Sequence, residues 1–319
     1  MQAQPQPQRM GTAYDDIPIV HPTDVYLLNY RPGPSIHPTP YYIACQQGHL
    51  DVVESLAIAE THSTPAFLHY GLAVALGSGQ IAVAAYSLSI GAPIARQTPR
   101  CILSAPSSSQ IALFELLAQH GWTPNTPGFY GAVLLPEIVT NHNLLEWFLA
   151  HGADPNLGPQ RDYRDRLGGP ETDSCAALER AARYGDENAV RHLLAAGASI
   201  SNGAPLHRAA GALSTDRVSN PFVGRVTPSR DFDEKLIPTM ALLVAHGADV
   251  NSREVSRHQV PGLAVVEAVM AGAVQRVKWL LDHGADPKAK GAWGSAVDYA
   301  NKLGSQEMKD VLACYIPEA

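Results

Sequence analysis

Thirteen histidines in a chain of 319 residues invite a search for a metal or catalytic centre, because imidazole is a common metal ligand and titrates near neutral pH. Four of them, His120, His151, His246 and His283, stand immediately before a glycine that closes an apolar run. An imidazole there complements the negative end of a helix and reaches its last carbonyls, so these four read as helix terminators. The sequence holds no Gly-x-Ser-x-Gly elbow, no His-Glu-x-x-His helix and no phosphate-binding loop ending in Gly-Lys-Ser/Thr. Gly77-Ser78-Gly79 lies in a turn between two helical patterns rather than between a strand and a helix. Cys45, Cys101, Cys175 and Cys314 lack the close spacing of zinc or redox motifs and read as reduced core thiols. No metal and no cofactor is assigned, and no catalytic motif is present.

The elements that position these residues form a repeated unit. In residues 263–304, Ala264 to Ala271 is a short apolar helix ended by Gly272. Val277, Leu280 and Leu281 recur at helical spacing. His283-Gly284 then stops the second helix, and Ser295 is placed to cap the next one. Gly272 and Gly284 are twelve residues apart, as are Gly185 and Gly197, and Gly79 and Gly91. LFELLAQHGW (113–122), LLEWFLAHGADPN (144–156), TMALLVAHGADVN (239–251) and HLDVVESLAIAE (49–60) match with the first or last glycine replaced or displaced. A helix pair of this length cannot bury both helices alone, so neighbouring units must stack on it.

At this register the chain resembles the ankyrin-repeat family. Thr39-Pro40-Tyr41-Tyr42-Ile43-Ala44-Cys45-Gln46-Gln47-Gly48-His49-Leu50 follows the family's T-P-L-H-x-A-A-x-x-G-H-L pattern. Ala204-Pro205-Leu206-His207-Arg208-Ala209-Ala210 follows it again, and the stretch Ser295–Gly304 is similar to a terminal repeat. The resemblance spans roughly residues 37–315. It implies an all-α solenoid of about eight imperfect helix–turn–helix repeats and a buried, loop-tying role for His207. First helices would line a concave face, and partner contacts would fall at the variable pairs before the turn glycines: Gln46 and Gln47, Arg183 and Tyr184, Met270 and Ala271, Lys302 and Leu303.

Departures from the array set the expected organisation. Residues 1–36 comprise a Gln/Pro-rich tail, too polar for a core, and an apolar stretch (17–34) expected to cap the first repeat. The solenoid, 37–319, carries insertions near 157–174 and 212–234. Pro106 and Pro136 are expected to shorten or kink the third and fourth first helices. Charged residues are 17% of the chain and the net charge is −7, which disfavours nucleic acid as a partner. The sequence has no apolar run near 18 residues and no leader pattern, giving the expectation of a soluble cytoplasmic or nuclear protein, away from membranes.

The leading expectation is non-catalytic recognition of a protein or peptide through finger loops and the concave helical face. Arg161, Tyr163, Arg164 and Arg166 in the long finger, with Arg183 and Tyr184 after it, would form a basic, aromatic patch for an acidic partner. The alternative is a small-molecule-binding protein or enzyme, for example in a biosynthetic pathway. Its pocket would use His207, Arg208, Glu179, Arg180 and Asp298 on the concave side.

Overall fold

The computed structural model describes residues 40–57, 65–213, 228–254, 262–291 and 294–316. The expected N-terminal tail and cap lie outside these, as does most of the insertion near 212–234. The chain divides into two compact units. One comprises residues 1–132 with 165–168, the other residues 133–164 with 169–319. Regular structure among the described residues is helical.

The first unit contains α1 (Pro40–Gln47), α2 (Leu50–Ala57), α3 (Pro65–Ser78), α4 (Ile81–Ser89), α5 (Thr98–Cys101) and α6 (Ser107–Gln119). Pro106 does not interrupt its repeat's first helix. It stands at the N-cap of α6, where a missing N–H costs no intrahelical bond. A buried hydrogen bond between His69 Nε2 and Thr98 Oγ1 (3.0 Å) ties α3 to α5.

The second unit contains α7 (Leu135–Ile138), α8 (His142–Ala150), α9 (Ala176–Tyr184), α10 (Glu187–Ala195), α11 (Pro205–Ala210), α12 (Arg230–Lys235), α13 (Ile237–Ala245), α14 (Ala264–Met270), α15 (Val274–Asp282), α16 (Ala296–Leu303) and α17 (Gln306–Ala313). Pro136 sits in the first turn of α7, which is only four residues long. Helices α9, α11, α14 and α16 pack successively as one row; α10 packs on α13, and α15 on α17, in the other. This is the ankyrin-repeat arrangement that the sequence register implies.

Two glycines show what holds the register. Gly185 ends α9 at φ 65°, and a Cβ there would lie 2.9 Å from Leu236 Cδ2 in the next repeat's turn. The position therefore needs the left-handed backbone, and a side chain there would also have to displace the end of Leu236. Gly284 ends the α15 repeat at φ 89° with open space around it, so there the backbone conformation alone selects glycine. Three of the four histidines before closing glycines behave as caps: Nδ1 of His151, His246 and His283 lies 2.7, 2.8 and 2.7 Å from the carbonyl of Trp147, Leu242 and Trp279 respectively. His151 and His283 also stack on those tryptophans at 3.9 and 3.8 Å between ring centroids.

Asn156 and Asn251 link consecutive repeats. Asn156 Nδ2 donates to the Gly197 carbonyl at 3.0 Å, and its Oδ1 accepts from Ser199 N at 2.9 Å. Asn251 does the same with Gly284 O and Asp286 N, both at 2.9 Å. The Gly-Ala-Asp-x-Asn stretches of the sequence thus encode a clamp that satisfies exposed loop amides and carbonyls of the following repeat.

Helix α12, at the end of the irregular sixth repeat, is anchored by a buried ion pair. Arg276 Nε donates to Asp233 Oδ1 at 2.8 Å, with side-chain exposures of 0% and 4%. Asp233 also accepts from Gln275 N at 2.6 Å and Arg276 N at 3.3 Å, so it serves as a remote cap for the first turn of α15. Arg276 Nη1 donates to Ala209 O and Ala210 O at 2.8 and 2.7 Å, closing the C-terminus of α11.

Candidate recognition surface

Side chains three and four apart share a helix face. On α9 the inward faces of Ala177, Leu178, Ala181 and Ala182 are buried, while Arg180, Arg183 and Tyr184 are exposed on the other side. On α14 Val265, Val266, Ala268 and Val269 are buried, while Glu267 is half-buried and Met270 is 43% exposed. Between them α11 presents Arg208 and then Gly211. A Cβ at Gly211 would stand 3.1 Å from Glu267 Cβ, a tight contact that a side chain there could make only with a small shift of α14. The second unit therefore carries a row that begins basic and aromatic on α9 and ends acidic and apolar on α14.

Electrostatics along this row centre on Arg208. Its guanidinium lies 2.5 Å from Glu254 Oε1 and 3.6 Å from Glu179 Oε2. Glu179 Oε1 in turn accepts from Ala204 N at 2.8 Å. Burial, with the neighbouring Glu254 carboxylate, pushes the Glu267 carboxyl above its ordinary range, and Arg208 partly offsets this. His207 Nε2 donates to the Ser252 carbonyl at 3.0 Å. Burial lowers its pKa, with Glu254 and backbone hydrogen bonds acting against that. Four of the five residues of the small-molecule reading are thus placed in detail. Glu179, His207 and Arg208 make contacts within the fold. Asp298 is bound into a capping box with Ser295 at the start of α16, and those hydrogen bonds hold its pKa down. Arg180 is exposed on α9. Sequence reasoning missed Glu254. It lies in a finger, where a lone carboxylate ordinarily reads as solvated, and only the fold brings it against Arg208.

The finger residues are distributed between the two units. In the second, Arg161 pairs with Asp173 at 2.8 Å and Arg164 with Asp162 at 3.3 Å, so both guanidinium groups have acidic partners within the finger. Tyr163 is 58% exposed and holds φ at 50°, an uncommon conformation for a residue with a side chain. In the first unit, Arg166 lies over the Phe129 ring at 4.1 Å, and Arg96 donates to Leu167 O and Gly128 O at 2.5 and 3.0 Å. Among the described residues no group of three or more His, Cys, Asp or Glu is arranged to hold a metal ion, and no helix is long and apolar enough to cross a membrane.

No family model and no curated protein matches the chain. Among solved structures, the human ASB11 ankyrin repeat domain is similar at 18% identity, covering 88% of this chain and 99% of that one, with a TM-score of 0.43. The ankyrin repeat domain of Bcl-3, a member of the IkappaB protein family, is similar at 18% identity, covering 77% and 86%, with a TM-score of 0.43.

Proposed function

We propose that this ankyrin-repeat chain is a non-catalytic recognition module that binds a protein or peptide along the exposed row of α9, α11 and α14. The observation that carries this reading is the composition of the row. Arg180, Arg183, Tyr184 and Met270 project from helices whose opposite faces are core. Aromatic and arginine side chains on a rigid support are the usual anchors of an interface, because they bring large contact area and, for arginine, a planar fork of hydrogen-bond donors. Four of the five residues of the catalytic alternative are engaged otherwise: Asp298 caps a helix, Glu179 and His207 bond neighbouring loops, and Arg208 pairs with two carboxylates; the fifth, Arg180, is exposed in the row itself. The finger tyrosine Tyr163 is a second exposed contact.

The test is selection of random peptides displayed on phage against the immobilised full chain. The expected result is a set of related sequences whose binding falls at least tenfold in Tyr184→Ala and Met270→Ala, both of which unfold like wild type. Failure to enrich any peptide, or binding indifferent to both substitutions, would refute this placement.

A further inference from the structure

From the α11–α14 end of the same row we infer a site for a cationic side chain, lysine or arginine, presented by the partner; this rests on the recognition reading above. Among the described residues, the three carboxylates Glu179, Glu254 and Glu267 share the influence of one guanidinium, Arg208. With all four ionised the cluster is two positive charges short. Glu254 makes the deficit specific. It is 4% exposed, one of its oxygens is taken by Arg208, and the other, Oε2, has no hydrogen-bond partner among the described residues. A buried carboxylate oxygen without a donor is costly, and a proton or a cation would relieve it.

Glu267 is the carboxylate of the cluster that α14 carries on its partly exposed side. Glu254 N donates to Gly262 O at 3.0 Å, and a Cβ on Gly262 would lie 2.8 Å from Glu267 Oε1. Gly211 flanks the other side, where a Cβ would lie 3.2 Å from Glu267 Oε2. Two residues without side chains therefore border the Glu267 carboxylate, which remains half-buried on the same helix face as exposed Met270. An ammonium or guanidinium group reaching Glu267 would have its alkyl stem beside Met270. A long cationic side chain has this combination of an apolar stem and a charged head. The α9 end, with Arg180 and Arg183, accepts negative charge instead. The partner segment thus carries acidic residues towards α9 and one basic residue towards α14, which refines the acidic partner expected from the finger arginines.

The experiment uses the peptides selected on the full chain. Each is resynthesised with every Lys replaced in turn by norleucine and every Arg by citrulline, and affinities are measured by calorimetry for wild type and Glu267→Gln. We expect one basic position to recur, its neutral replacement to weaken binding at least tenfold, and Glu267→Gln to weaken the parent peptide similarly while leaving the neutral peptide unchanged. Glu307→Gln on α17 is the control and should change neither. Glu267→Gln removes charge repulsion from Glu254 and keeps the side-chain shape, so loss of binding is separable from loss of folding by a thermal melt. Selected peptides with no recurrent basic position, or a parent peptide that binds Glu267→Gln as tightly as wild type, would overturn the cation site and leave the recognition row standing. Absence of any selected peptide would remove both. Equal weakening of parent and neutral peptides by Glu267→Gln would also overturn it, because the glutamate would then be acting on the fold.

Discussion

Replacing Asp233 by alanine tests how the irregular sixth repeat is held. The substitution leaves the Arg276 guanidinium, 0% exposed, without its counter-ion. Removing one partner of a buried pair costs about 3–5 kcal/mol. Asp233 also accepts from Gln275 N and Arg276 N at the start of α15, and losing a cap of this kind costs about 1 kcal/mol. The expected sum, ~4–6 kcal/mol, is a large fraction of a typical domain stability of roughly 5–15 kcal/mol. Urea unfolding of the full chain gives the global value, and hydrogen exchange at α12, α13 and α15 localises it. In the double variant Asp233→Leu/Arg276→Met the charge penalty disappears. What remains is the loss of donors to Ala209 O and Ala210 O, about 1 kcal/mol each, and the lost cap. The double variant should therefore be more stable than Asp233→Ala by ~1–3 kcal/mol. An Asp233→Ala protein within ~1 kcal/mol of wild type, or a double variant less stable than the single, would refute the buried pair as the anchor of α12.

Two further outcomes concern stability. Leu280, fully buried in α15, should cost ~2–5 kcal/mol on truncation to alanine, read as a lowered urea midpoint; an unchanged midpoint would mean that α15 is not packed as described. Burial lowers the pKa of His69 to about 3, against ~6.5 in an unfolded chain. The unfolded state therefore takes up the proton first, so the stability contribution is full above ~6.5 and is lost as pH falls towards 3. Thermal unfolding of wild type should drop more steeply from pH 7 to pH 4.5 than that of His69→Gln; parallel pH profiles would contradict it.

Much of the fold was legible because its signals are local. A glycine at a left-handed position and a histidine one residue before it announce a helix end whatever lies beyond, and His151, His246 and His283 occupy the roles their spacing implied. Asp298, one of the candidate reactive residues, follows Ser295 by three, the spacing of a capping box, and that is what it forms. The features that escaped are those joining residues far apart in sequence. Arg208 and Glu254 are 46 residues apart, and Arg276 and Asp233 are 43 apart. In both cases one partner lies outside the regular helix pairs, in a finger or at the end of an insertion, where the register offers no address. Pro106 shows a subtler limit: proline marks a boundary, but only the packed structure tells which side of it the helix occupies.

The Asp233–Arg276 pair also has a consequence for how the chain is made. A ribosome releases repeats in order, and an ordinary repeat can dock on its predecessor as soon as it emerges. The sixth cannot finish in that way, because the side chain that closes α11 and neutralises Asp233 belongs to the seventh. The 43-residue step from Asp233 to Arg276 takes roughly 2–9 s to synthesise at about 5–20 residues per second. During that interval α12 has its acidic group but not its counter-ion, and the nascent chain offers an incomplete end to chaperones and proteases. Gene fragments that stop after the sixth repeat would make that transient state permanent, leaving Asp233 and the last carbonyls of α11 without the Arg276 donors.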